Sequence, residues 1–293
     1  MNDTALRAAT KGGVARPRAR TSASWWHRLE RLLLPAYTHL VLLWLFAPIA
    51  VMTIYGFNDT HGRLNIVWSG FTLKWFADPF GVTALTNAVY TSLLSSTIGA
   101  AISTVLGTMI ALASHRYHFR GRTLLDAVMV MNIAASEVVM GAALLTLFLA
   151  ANVPLGFLTI VLAQVMFSIP FVAITVRARL VGFDNSLEEA AQDLGASPLT
   201  TFTLVTLPII FPGVLAAALL AFALCLDDYV ITSFVSGTTQ TFPLWVYGAT
   251  RLGVPPQVNV IGTFIFLAGA LLSISFALIR SRRNRQLARE SAL

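Results

Sequence analysis

The chain has 293 residues, 56% of them hydrophobic and only 11% charged, with a mean hydropathy of +0.74. A water-soluble domain of ordinary composition is excluded, so the bilayer is the expected solvent and an all-α integral membrane protein the expected class. The formal net charge of +7 comes with no base-reading motif, so it reports topology and contact with anionic membrane lipid, with no nucleic acid as partner.

Residues 1–31 form a basic tail in which Gly12, Gly13 and Pro17 interrupt the charges, and the tail is expected to be mobile. It lacks an apolar core followed by a small-residue cleavage site, so the first span is expected to insert uncleaved. Trp25 and Trp26 suit an interfacial belt at its inner end. Apolar runs long enough to cross about 30 Å of hydrocarbon predict six spans, over 32–57, 87–113, 123–151, 154–176, 209–234 and 258–279. Seventeen of the twenty Lys and Arg residues fall before the first span, between spans two and three, between four and five, or after the sixth. The other three, Arg63, Lys74 and Arg251, lie in the alternate loops. The positive-inside rule therefore predicts a multi-pass protein with both termini in the cytoplasm, including a basic tail over 281–293.

In span one, His39 is expected to be packed or hydrogen-bonded. The outer loop that follows carries Trp68, Phe71, Trp75 and Phe76, which suit a membrane surface or a docking face. Along span two, Ser95, Gly99, Ser103, Gly107 and Ala111 recur every fourth residue and predict a seam of small side chains against which another helix can pack. Glu137 in span three, and Asp227 and Asp228 in span five, are acids inside the bilayer and thus candidates for a solute or ion path. Tyr229 and Trp245 could add aromatic faces for a cation. The same acids could instead anchor helix ends or pair with Arg251. Cys225 is the single cysteine, which excludes an intramolecular disulfide and a cysteine-rich metal site, and it reads as a packed thiol. No metal site is expected.

The loop over about 177–208 is different in kind. Ser186 and Glu189 have the spacing of a capping box, so a helix is expected from Leu187. Leu187, Ala190, Ala191 and Leu194 make a ridge at i, i+3, i+4 and i+7, and Gly195 supplies a stop. Ser197 and Pro198 can cap and open a second helix, and Pro208 and Pro212 are expected to bend or restart the chain. The first helix carries Glu188, Glu189 and Asp193 but no base, so anionic headgroups repel it and a protein partner is the fitting receptor.

Only Lys11 and Lys74 are present, and neither belongs to a G-x-x-x-x-G-K-[ST] loop, so the chain is not expected to hydrolyse ATP. No arrangement of serine, histidine and acid compels a catalytic assignment; no enzyme activity and no cofactor bound by this chain are expected.

"EEAAQDLGASPLTTFTLVTLPIIFPG" over 188–213 resembles the EAA loop of permease subunits of bacterial ABC importers, with Glu189, Ala190, Ala191, Gly195, Leu207 and Pro208 matching its pattern in order and spacing. "YGFND" at 55–59, "GFTLKWF" at 70–76, "LDDYVITSFVSG" at 226–237 and "LGVPPQVNVIGT" at 252–263 resemble the second permease subunit of the spermidine/putrescine importers. One departure is Ser136 before Glu137, where a proline is expected. The resemblance implies a type I importer permease fold over 32–280 in the bacterial plasma (inner) membrane. It implies a coupling helix, positioned by Glu189 and Gly195, that docks in a cleft of an ATP-binding subunit dimer, which alone uses ATP and Mg. The further partners implied are a second permease subunit, an extracytoplasmic solute-binding protein and a polyamine, moved unchanged by alternating access. Two other readings are a permease of the same class for another small solute, and an ion-gradient carrier with Glu137 or the Asp227 pair as its coupling site.

Overall fold

The computed structural model describes residues 24–60, 65–117, 119–184 and 186–290. Most of the N-terminal tail, the side chains of Trp25 and Trp26, and Arg63 lie outside the described residues. The elements are α1 (Ser24–Tyr55), α2 (Lys74–Ala77), α3 (Thr83–Arg116), α4 (Arg122–Ala134), α5 (Glu137–Ala150), α6 (Phe157–Leu180), α7 (Ser186–Asp193), α8 (Pro198–Thr201), a π-helical turn (Phe202–Thr206), α9 (Leu207–Asp227), α10 (Val230–Val235), α11 (Phe242–Leu252) and α12 (Pro256–Glu290). An isolated bridge between Asn58 and Phe71 pins the loop after α1.

The chain divides into two units, one ending at Met52 and one starting at Thr53. The described part of the first is the α1 helix up to Met52. There the Thr38 hydroxyl donates to the Leu34 carbonyl at 2.8 Å and His39 Nδ1 lies 2.6 Å from the Pro35 carbonyl, so both polar groups are satisfied within the helix.

The second unit is built on the seam anticipated along α3. Ser95, Ser103 and Ala111 are fully buried there. A Cβ on Gly107 would lie 2.6 Å from Val172 Cγ1, and one on Gly99 would lie 3.2 Å from Gln164 Cβ, so only side chains this small admit α6 at this distance. Val172, Val176 and Leu180 of α6, and Ile210, Ala217 and Ala221 of α9, complete this core around Ala100 and Ala111. A second cluster joins Met140, Leu144 and Phe148 of α5 to Ile231 and Val235 of α10, and a third joins Leu85 and Val89 of α3 to Val258 and Ile261 of α12.

Among the described residues, four helical runs are long and apolar enough to cross a membrane: Leu33–Tyr55, Thr83–Arg116, Phe157–Leu180 and Pro198–Asp227. The expected third span is a broken one, because α4 and α5 meet at 111°. Ala135 (φ −68°, ψ 141°) and Ser136 (φ −66°, ψ 131°) are both extended, which interrupts the helical ladder without any proline. The fifth span stops at Asp227 rather than running to 234. In the sixth, the described apolar segment is the shorter Pro256–Leu272, while the helix itself continues to Glu290. Of the bend or restart expected at Pro208 and Pro212, the restart does not occur, and Pro212 lies inside α9. A proline lacks an N–H and clashes with the carbonyl four residues back. The π turn just before Pro208 absorbs this, with Leu207 N–H bonded five residues back to Phe202, and the run from α8 into α9 stays continuous.

Candidate functional site

Helix α7 begins at Ser186, so Ser186 lies inside the helix and is not the cap that the S-x-x-E spacing predicts. Asp184 supports this end of the helix, its Oδ1 accepting the Ser186 N–H at 2.9 Å. That bond favours the carboxylate and holds Asp184 below the usual aspartate range. At the other end Gly195 adopts φ +87°, with Gly195 N–H on the Gln192 carbonyl at 2.8 Å and Ala196 N–H on the Ala191 carbonyl at 3.1 Å. These two bonds are a Schellman stop. Ser197 then caps α8, its Oγ accepting the Thr200 N–H at 3.2 Å, with Pro198 in the first turn.

The faces of α7 differ. Leu187 is 48% and Leu194 90% exposed, and Ala190, Glu189 and Asp193 are exposed with them, while Ala191 is half-buried. Glu188 turns the other way. Its Oε1 accepts from Arg116, at the C-terminal end of α3, and from the hydroxyl of the fully buried Thr206, in the π turn. Arg116 Nη2 also donates to Thr206 Oγ1 at 3.1 Å, closing a three-membered ring of bonds. Pro208 stands in the first turn of α9. Neither Arg116 nor Thr206 is singled out by the sequence. They lie 72 and 18 residues from Glu188, beyond the reach of any helical periodicity.

The membrane acids sit at the two helix breaks. Glu137 opens α5 and is exposed, Asp227 ends α9 and is exposed, and Asp228 lies between α9 and α10. The Asp228 carboxylate accepts the Ile231 N–H at 3.1 Å, the Thr232 N–H at 3.2 Å and the Thr232 hydroxyl at 2.7 Å. This is the capping pattern of a helix start, and it matches the helix-anchoring role weighed for these acids. The two broken segments pack on each other, a Cβ on Gly141 of α5 falling 2.5 Å from the Phe234 ring of α10. Glu137 and Asp228 thus stand at the starts of two helices that pack on each other.

Asp227 instead lines a cavity of about 460 Å³ together with Leu226, Tyr229, Phe242, Val246, Tyr247 and Ile265, and it is the one charged residue in that lining. Tyr229 and Tyr247 lie with ring centroids 4.7 Å apart. The Arg251 guanidinium sits 5.5 Å from the Tyr247 ring, with its Nη2 3.4 Å from the hydroxyl, rather than on an acid. Trp245 packs against the third core cluster. Phe242 and Tyr247 are lining aromatics not expected from the sequence, and for Tyr247 its place four residues before Arg251 on a helix was the available signal.

An exposed helix between two spans, in a chain that also carries acids at breaks in its apolar helices, is a transporter's arrangement. Residues 103–290 match the family model described as "Binding-protein-dependent transport system inner membrane component". The chain belongs to this family. Among its relatives in this permease family, the spermidine/putrescine transport system permease protein PotC of Escherichia coli (strain K12) is 34% identical over 258 residues, covering 88% of this chain and 97% of that protein. The putrescine transport system permease protein PotI of the same strain is 36% identical over 254 residues, covering 84% and 90%. The fold is shared with a solved bacterial ABC transporter involved in the import of the acidic polysaccharide alginate, at a TM-score of 0.61 and 17% identity over 87% of this chain and 96% of that one. It is also shared with the MetNI methionine ABC transporter, at a TM-score of 0.54 and 17% identity over 68% and 94%.

Proposed function

We propose that the chain is a transmembrane permease subunit of an ATP-driven importer that moves polyamines across the bacterial inner membrane. The observation that carries this reading is its 34% identity to a spermidine/putrescine permease over nearly the whole of both chains. In this reading the chain crosses the membrane six times with both termini in the cytoplasm. It pairs with a second permease subunit, receives solute from an external binding protein, and is driven by a dimer of ATP-binding subunits.

The exposed α7 is the docking element. Its ridge of Leu187, Ala190, Ala191 and Leu194 presents a narrow apolar edge that a groove can enclose, with Glu189 and Asp193 beside it for basic side chains. Closure of the ATPases on ATP pushes this helix, the helices it is joined to move, and the cavity changes the side it faces. A polyamine is an extended cation that needs carboxylates and aromatic faces in place of water. Asp227, Tyr229 and Tyr247 supply both in the cavity, and Glu137 adds charge at the adjoining break. Nothing happens to the covalent structure of the solute.

The test is uptake of labelled putrescine and spermidine into proteoliposomes holding the chain with its partner subunits and the loaded binding protein. Uptake is expected only with ATP inside. Uptake driven by a proton or sodium gradient with the ATPase subunits left out refutes the reading. ATP-dependent uptake of another solute with none of either polyamine would retain the importer and overturn its substrate.

A further inference from the structure

We infer that Glu188, Arg116 and Thr206 form a latch that ties α7 directly to α3 as well as to the start of α9, so that a push on α7 is delivered to the helical seam. The inference rests on the docking role proposed for α7. It assigns to Glu188 a task different from that of its neighbour Glu189.

The backbone alone transmits poorly here. On the α6 side α7 is preceded by Gly182 at φ +84°, and on the α9 side it is followed by Gly195 at φ +87°. Neither glycine has a packed neighbour within 4 Å of where a Cβ would stand, so each turn is held by its own backbone bonds and by no side-chain packing at the glycine. A short helix joined to the spans through two such turns passes a push to them through backbone alone. A side-chain tie adds a second route, and among the described residues the Glu188 cluster is such a tie between α7 and the seam.

Its chemistry suits a tie that holds under load. Glu188 retains only 12% side-chain exposure and Arg116 30%, so their attraction is screened less than that of a pair in open water. Both bonds to the carboxylate oxygen are to a charged acceptor, which roughly doubles the strength of a neutral hydrogen bond. Thr206 is fully buried and both accepts from Arg116 and donates to Glu188, so each polar atom of the ring has its partner inside it. Arg116 is the last residue of α3, the helix whose small-residue face is packed on α6 and α9. Covalent connection joins α7 to α6 and α9 only. The latch adds a direct tie to α3, the helix on which α6 and α9 already pack.

The test compares Glu188→Gln, Arg116→Gln, Thr206→Val and the Glu188→Gln/Arg116→Gln double variant in purified complexes of matched subunit stoichiometry. The readout is the ratio of polyamine taken up to ATP hydrolysed in the same vesicles. Each single charge removal is expected to lower that ratio by about fivefold or more, the lower end of an energetic link between two sites. The double variant is expected to be no worse than the worse single, because the two residues act through one contact. An unchanged ratio in Glu188→Gln, or losses that multiply in the double variant, overturns the latch. Failure of all four variants to assemble also overturns it, by making the cluster a folding element. If the parental complex itself shows no ATP-dependent uptake, it is the underlying importer reading that fails, and the two failures are told apart before any variant is measured.

Discussion

Replacing Gly107 by alanine puts a Cβ 2.6 Å from Val172 Cγ1, 2.7 Å from Val172 Cβ and 3.0 Å from the Ile169 carbonyl oxygen. Carbon atoms rest at about 3.5–4.0 Å, so α3 and α6 must separate by on the order of 1 Å at this point. Val172 cannot turn aside. It is fully buried, its β-branched side chain is stiff at χ1, and rotation leaves the clash with its Cβ untouched. Overpacking of this kind costs about 1–3 kcal/mol. The change also brings the helix-propensity gain of alanine over glycine, about 1 kcal/mol, and that term needs a control. Gly248 in α11 and Gly269 in α12 provide it, since a Cβ at either meets nothing within 4 Å. The same substitution there carries the propensity gain alone, so the difference between Gly107→Ala and the controls isolates the clash. Scaled by about 2–4 °C per kcal/mol for a chain approaching this size, Gly107→Ala should melt about 2–12 °C below both. The assay is the fraction of purified protein that stays monodisperse in detergent after a heating series. A Gly107→Ala protein that melts level with or above Gly248→Ala and Gly269→Ala would refute the seam as the closest approach of these helices.

Asp228→Ala removes the acceptor for three bonds at the start of α10 and should cost about 1–2 kcal/mol in the same melting series, while Asp228→Asn, which keeps one of the two accepting oxygens, should cost less than Asp228→Ala. Equal stability of Asp228→Ala and the parent would remove the capping role. Asp227→Asn takes away the one charge lining the cavity, and the KM for putrescine uptake should rise about tenfold, the worth of one hydrogen bond to a charged group. An unchanged KM takes Asp227 off the solute path. Asp184 has its pKa lowered in the folded chain by the Ser186 N–H, so its support for the start of α7 is complete above about pH 4 and is lost as pH falls through the depressed value. Amide exchange at Ser186 and Leu187, corrected for intrinsic rate, should accelerate only below that range, and Asp184→Asn should abolish the dependence.

The helical class, four of the long apolar helices and the helix, turn and helix over 186–201 were legible in the residues because each depends on local chemistry. Apolar length sets a span, the i+4 run from Ser95 to Ala111 sets a seam, and Gly195 followed by Ser197-Pro198 sets a stop and a restart within a few residues of chain. The tertiary structure decided what depends on distant neighbours. Ala135 and Ser136 break a span with no proline, and Pro208 leaves one continuous because a π turn precedes it. Which acid faces a cavity and which caps a helix follows from where α9 ends, and adjacent Asp227 and Asp228 do opposite things. Glu188 and Glu189 part in the same way. Their sequence contexts are nearly the same, but side chains 100° apart on a helix meet different surroundings, and only folding puts Arg116, 72 positions earlier, beside the first of them.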